Sequence, residues 1–127
     1  MAGINFRTAS KFASITGNSA STAGSPSNAT LLFTCPESHE AEIVFLMVAN
    51  EATSTAKIGI QVYHSDDTTY HYLVAEEALA GNSHKQFISG GPLFLHSGDK
   101  VLLFRHGGSD EFDATLSARL YFTPAKR

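Results

Sequence analysis

The chain has one cysteine, no tryptophan, no long apolar run and no marked excess of either charge over its 127 residues. Each shortage excludes something. A lone Cys35 can form neither an internal disulfide nor a cysteine-built zinc centre, and it reads as a small buried apolar residue. Nine Lys and Arg against twelve Asp and Glu leave a net charge of −3, evenly scattered. The basic surface with which nucleic-acid binders grip phosphates is missing, so no nucleic-acid partner is expected. No apolar stretch approaches the ~18 residues of a membrane span, and no charged segment leads into an apolar one at the start. These features predict a soluble protein with no membrane partner, made in a reducing cytoplasm. Without a secretory signal, the Asn28-Ala29-Thr30 triplet is a chance match to a glycosylation acceptor. There is no Gly-x-Ser-x-Gly elbow and no glycine-rich phosphate loop, the usual sequence marks of nucleophilic and phosphate chemistry. No internal repeat is visible, which argues against a solenoid or propeller.

What the chain does have is strand and turn. Its length suits one domain, and 43% hydrophobic residues with nine Phe suit a globular β protein. Residues 1–29 stand apart, rich in Ser, Ala, Gly, Thr and Asn. Ser19–Asn28 has almost nothing to bury, and Pro26 rules out a regular element there. Residues 1–29 therefore predict a flexible N-terminal arm, and Phe6 and Phe12 favour one that orders against a neighbouring subunit. Thr30–Cys35 is a short strand halted by Pro36. Glu42–Asn50 is nearly all apolar, which predicts a strand covered on both faces or lying at a subunit contact.

Ala56–His64 sets Ile58, Ile60 and Val62 on one face, and Thr69–Glu76 follows the Ser65-Asp66-Asp67-Thr68 turn. Glu76–Gly81 reads as a loop or a single helical turn. Lys85–Ser89, Leu93–His96 and Lys100–Arg105 come next, separated by Gly90-Gly91-Pro92 and by a Ser97–Lys100 turn. The closing strand, Phe112–Phe122, alternates over its whole length, with Phe112, Ala114, Leu116, Ala118, Leu120 and Phe122 on one face. Residues 124–127 form a polar tail. About eight strands at spacings of roughly 8–12 residues predict an all-β antiparallel sandwich over residues 30–123, jelly-roll or Ig-like.

Candidate chemistry is thin. Of six histidines, His64 and His71 make the best pair: if Tyr63 pairs with Tyr70, they are diagonal neighbours on one face of a hairpin. A metal site needs a third ligand, and the spacing names none. The acidic turns Asp66-Asp67 and Asp110–Asp113 lack the alternating loop of a dedicated calcium site and read as solvated turns. No nucleophile, base and orienting acid can be assembled, so no catalytic residue, cofactor or metal is expected. Tyr63, Tyr70 and Tyr72 share a face in the same pairing; they either pack across the strands or stack on a sugar or partner protein.

Four pieces in order resemble a group of small β-sandwich proteins found in the virions of tailed bacteriophages. These are Val48-Ala49-Asn50-Glu51-Ala52-Thr53-Ser54, Tyr70-His71-Tyr72-Leu73, Gly91-Pro92-Leu93-Phe94-Leu95-His96-Ser97-Gly98-Asp99-Lys100 and Phe112-Asp113-Ala114-Thr115-Leu116-Ser117. The resemblance covers about residues 40–122 and implies a structural role in the virion: a capsid decoration (cement) protein, or else a neck, tail or fibre-associated component. It transfers no catalytic residue. Further copies of the chain, a trimer in preference, and the phage major capsid protein or other virion proteins are the expected partners. Phe6, Phe12, Val44, Leu46, Val48, Tyr63, Tyr70 and Tyr72 are the candidate contact residues. The rival reading is a carbohydrate- or receptor-binding module that uses the tyrosine face.

Overall fold

A computed structural model describes residues 6–15, 29–106 and 112–123. Eight strands run through them: β1 (Phe6–Ile15), β2 (Thr30–Thr34), β3 (His39–Asn50), β4 (Ala56–His64), β5 (Thr69–Leu79), β6 (Ser83–Leu95), β7 (Lys100–His106) and β8 (Phe112–Phe122). Every pairing between them is antiparallel. β4 pairs with β5, β3 with β6, β2 with β7 and β1 with β8. The chain is thus one long hairpin, folded back at Ser65–Thr68 and rolled up on itself. Rolling adds two lateral pairings, β3 with β8 and β4 with β7. The result is two four-stranded sheets, ordered β1-β8-β3-β6 and β2-β7-β4-β5. Of the two sandwich types left open by the sequence, this is the jelly roll.

The core lies between the sheets and follows the side-chain alternation of the strands. β8 turns Phe112, Ala114, Leu116, Ala118 and Leu120 inward, while Phe122 lies beyond the core at the end of the strand and is exposed. Ile58, Ile60 and Val62 of β4 face them from the other sheet together with Val101 and Leu103 of β7. Burying side chains of this size contributes roughly 1.5–3 kcal/mol each, and that sum holds the layers together.

Four features depart from the sequence reading. Where an arm is expected, Phe6–Ile15 forms β1 and pairs residue by residue with β8, from Phe6↔Tyr121 to Ile15↔Phe112. Its small residues carry no apolar run, so nothing local marks it as a strand; the backbone donors and acceptors along β8 supply the partner. The rest of the expected arm and the 124–127 tail lie outside the described residues.

β3 is not covered evenly on both faces. Its register against β8 slips at Val44, so Ile43 and Leu46 both point into the core while Val44 and Phe45 are half-buried on the outer side. Strict alternation is broken by this bulge, which is why the run looks apolar on both faces. Burial on both faces belongs to β7, whose Val101, Leu102, Leu103 and Phe104 are all buried, and to the middle of β4, from Ile58 to Val62.

Gly90-Gly91-Pro92 does not separate two strands. It lies inside β6, where the pairing jumps from Leu93↔Ile43 to Ser89↔Phe45. Proline is tolerated because β6 is an edge strand. Lastly, Glu76–Leu79 is no turn: it extends β5 along β4, with Ala56↔Leu79 and Ile58↔Glu77 paired. Sheet pairing overrides the helix preference of Glu-Glu-Ala-Leu there.

Candidate assembly surfaces

Two buried polar side chains fasten the ends of the sandwich and fix the shape of its surfaces. At one end Asp99, only 2% exposed, sits in the turn between β6 and β7. The Ser65 and His96 amides donate to its two carboxylate oxygens, at 3.0 and 2.9 Å, and the Ser65 hydroxyl lies 3.2 Å away. Its backbone carbonyl accepts from the Cys35 amide at 2.9 Å, and the Gly98 amide returns a bond to Cys35. The Asp99 side chain thereby ties the β4–β5 tip to the β6–β7 turn, and the backbone of Gly98-Asp99 ties that turn to the end of β2. Gly98 holds φ +86 within this turn, with its missing Cβ position 3.0 Å from Ser65, so a side chain there is strained on both counts.

At the opposite end Asn50 is buried. Its amide nitrogen donates to the Ser54 and Leu79 carbonyls at 2.9 and 3.0 Å, and its oxygen accepts from the Ala52 amide at 3.0 Å. Gly81 closes against it: a Cβ there would sit 2.3 Å from the Thr53 backbone. Asn50 and Asp99 are the polar centres of two pieces that carry the resemblance to virion proteins. Sequence reasoning saw both as turns; what it did not show is that Leu79 closes over Asn50 and Ser65 over Asp99 from distant parts of the chain.

The β4–β5 tip holds the expected register, with Tyr63 opposite Tyr70. The two tyrosine rings pack at 4.8 Å between centroids and lie against Leu102 and Phe104, while Lys100 stands 5.3 Å above Tyr63. Tyr72, on the same face, is 40% exposed. The tyrosines therefore pack mainly within the domain. His64 and His71 rings do meet, at 5.2 Å, and His64 Nδ1 is 3.7 Å from Asp99. Among the described residues no three His, Cys, Asp or Glu are arranged to hold a metal ion.

His71 Nε2 lies 3.0 Å from the Thr69 hydroxyl, but that hydroxyl is 2.6 Å from Asp67 and donates its proton there, so it is not poised as a nucleophile. The same bond, aided by the nearby His64, holds the Asp67 carboxyl below its ordinary value. Cys35 is buried, and desolvation, with the Asp99 and Glu40 charges behind it, pushes its thiol up to about 11.

The remaining candidate contacts divide. Leu46 and Val48 are fully buried in the core, so they are packing residues with no surface to offer a partner. Val44 is half-buried on the outer face of β3. Phe6 and Phe12 lie on β1, within its pairing to β8.

The contact candidate that sequence reasoning missed is Phe94. It stands on the outer face of β6 and is 60% exposed, opposite Glu42. Glu42 accepts from the Tyr121 hydroxyl at 3.0 Å and lies 3.7 Å from Arg119, and beside them His96 pairs with Glu40 at 3.5 Å. Within the sequence Phe94 sits in the apolar run Leu93-Phe94-Leu95, where period-two alternation was the one signal that it faces outward.

No protein-family model and no curated protein sequence matches the chain. Solved structures do. A chain of the acid-stable capsid of Helicobacter pylori bacteriophage KHP30 is similar at 18% identity, with 97% of this chain aligned to 95% of that one at a TM-score of 0.53. A chain from Bacillus endospore appendages, disulfide-linked pili, aligns over 97% and 93% at 13% identity and a TM-score of 0.52. A chain of the T13 infectious bursal disease virus particle aligns over 93% of this chain at 10% identity and a TM-score of 0.57, but this chain spans only 31% of its length. At these identities the likeness is one of fold.

Proposed function

We propose that this chain is a non-enzymatic structural protein of a virus particle, and specifically a decoration (cement) protein seated on the capsid of a tailed phage. The observation that carries the reading is the end-to-end match with a whole chain of a phage capsid structure. A single jelly roll of this size is thus at home in a capsid with no further domain around it. The surfaces fit the role. Exposed aromatics flanked by paired charges, on a rigid sandwich whose ends are fastened by buried polar groups, suit a protein that docks and holds.

On this reading the chain is made in the cytoplasm of a bacterial host and forms a homo-oligomer, with a trimer the expected state. It spans junctions between capsid subunits, and many small contacts add up to large avidity. Of the contact residues expected from the sequence, Val44 and Tyr72 reach the surface and are kept, with Phe6 and Phe12 of β1 retained as expectations, and Phe94 joins them. The pilus likeness does not extend to linkage. A subunit disulfide-bonded to a neighbour on each side needs two accessible cysteines, and these 127 residues hold one, buried. A sugar platform is also poorly served, since Tyr63 and Tyr70 are spent on packing.

The test is to express the capsid protein of the same genome without this chain, add the purified chain to the shells, and sediment them. Recovery with the shells at a fixed, saturable ratio supports the reading. A chain left wholly in the supernatant, with shells intact, overturns it.

A further inference from the structure

His64 and His71 stand on different strands of the β4–β5 hairpin and share one face of it, because His64 pairs with Thr69 and Val62 with His71. In the sequence they are only a pair. The structure adds what surrounds each ring. His64 closes β4 with its side chain 43% exposed, and its Nδ1 stands 3.7 Å from the Asp99 carboxylate. That charge favours the ring proton on Nδ1 and leaves the Nε2 lone pair bare. On β5 the exposed His71 sets its Nε2 3.0 Å from the Thr69 hydroxyl. Because this hydroxyl gives its proton to Asp67, it can only accept from His71. The His71 proton is therefore on Nε2, and Nδ1 is bare.

A carboxylate or other acceptor at one ring nitrogen is the support that readies the second nitrogen as a metal ligand. The two rings so held meet edge to face, with centres 5.2 Å apart. Imidazoles that share one tetrahedral ion at about 2.0–2.1 Å from each nitrogen have centres roughly 5 Å apart, so the spacing already suits an ion between them. The local charge suits a cation as well. Asp99 stands beside His64, and the exposed Asp67 is close enough for His64 to act on its carboxyl. Lys100, the nearby cation, is turned to the opposite face of the hairpin, over the Tyr63 ring. Imidazole nitrogen suits nickel, copper and zinc, whereas magnesium and calcium take oxygen.

We propose that His64 and His71 chelate a divalent transition-metal ion of the nickel, copper or zinc class, with water completing its shell. One ligand on β4 and one on β5 let the ion brace the hairpin tip across its two strands. Structural zinc centres use four protein ligands, so a site with two is exchangeable and the fold does not depend on it. Neither histidine is a contact residue of the decoration reading, and the inference is independent of it.

The test is to titrate nickel chloride into the untagged wild-type chain by calorimetry and to repeat the titration with single variants. One ion per chain should bind, and magnesium chloride in its place should give no binding heat. His71→Ala, an exposed change that leaves the bonds to Asp99 intact, should weaken binding about tenfold or more, as should His64→Ala. His84→Ala and His96→Ala, at exposed histidines elsewhere, should bind like wild type. Thermal unfolding gives a second readout. Nickel should raise the melting temperature of the wild-type chain and leave that of His71→Ala where it was, since the ion holds only the folded hairpin.

A wild-type chain that takes up no nickel at millimolar concentration would overturn the proposal. So would binding that His71→Ala leaves unchanged, or that His84→Ala or His96→Ala weakens as much, because the ion is then held elsewhere.

Discussion

Asp99 keeps its charge almost out of water because amide and hydroxyl donors converge on its two oxygens. Asp99→Ala leaves the Ser65 and His96 amides without their acceptor, and should cost about 2–4 kcal/mol of stability in urea unfolding. Asp99→Asn keeps the shape and one acceptor and should cost clearly less; equal losses would show that packing, not hydrogen bonding, is what Asp99 supplies. Cys35 gives a second measurement at this scale. With its thiol pushed up to about 11 by burial, it is protonated at pH 8 and shielded. It should resist a thiol reagent in the folded protein and react fully in denaturant. Rapid labelling of native protein would contradict the burial. Both residues were visible in the sequence as what they are chemically, a turn aspartate and a lone cysteine. That Asp99 is buried was not legible, because Ser65, which caps it from the β4–β5 turn, is distant in the chain.

Among the elements, the bounds of β8 and β4 were legible in full, and β8, half-buried from Phe112 to Leu120, writes its faces into the sequence as alternation. β3 was legible as a strand and misleading as a surface. The bulge at Val44 shifts its inward parity midway, and a period-two reading has no means of placing such a slip. The consequence is a sharp contrast between neighbours. Leu46→Asp sets an unpaired charge in the core and should abolish folding, a loss of about 4 kcal/mol or more. Val44→Asp, on the outer side, should cost about 1 kcal/mol and leave the far-ultraviolet circular dichroism unchanged. Similar unfolding by both would mean that β3 is covered on its two faces after all. β1 was missed because its partner, β8, lies at the other end of the chain. Removing residues 1–15 should therefore lower the melting temperature by several degrees and promote aggregation, since β8 is left with a bare edge. A truncated chain as stable as the whole would show that Phe6–Ile15 adds nothing to the sheet. A deletion of this segment thus probes folding, and it cannot by itself assign the segment a role in assembly.

For the whole molecule, the pairing of β1 with β8, β2 with β7, β3 with β6 and β4 with β5 makes a jelly roll with a short hairpin tip and long-range closure everywhere else. The class was legible from strand count and turn chemistry. The choice between jelly roll and Ig-like was not, because strand order is decided by which edges meet in three dimensions. The proposed function, a protein built to assemble, was present in the sequence as an expectation. The contact surface was not, because Phe94 is ordinary in sequence and unusual only once its exposure is seen. The central claim is that the chain strengthens a capsid. The measurement that bears on it most directly is the temperature at which particles release their contents, taken on particles assembled with the chain, without it, and without it but later supplied with purified chain. The account predicts earlier release from bare particles and recovery on adding the chain back. Identical release from all three, with the chain bound, would contradict a cementing role.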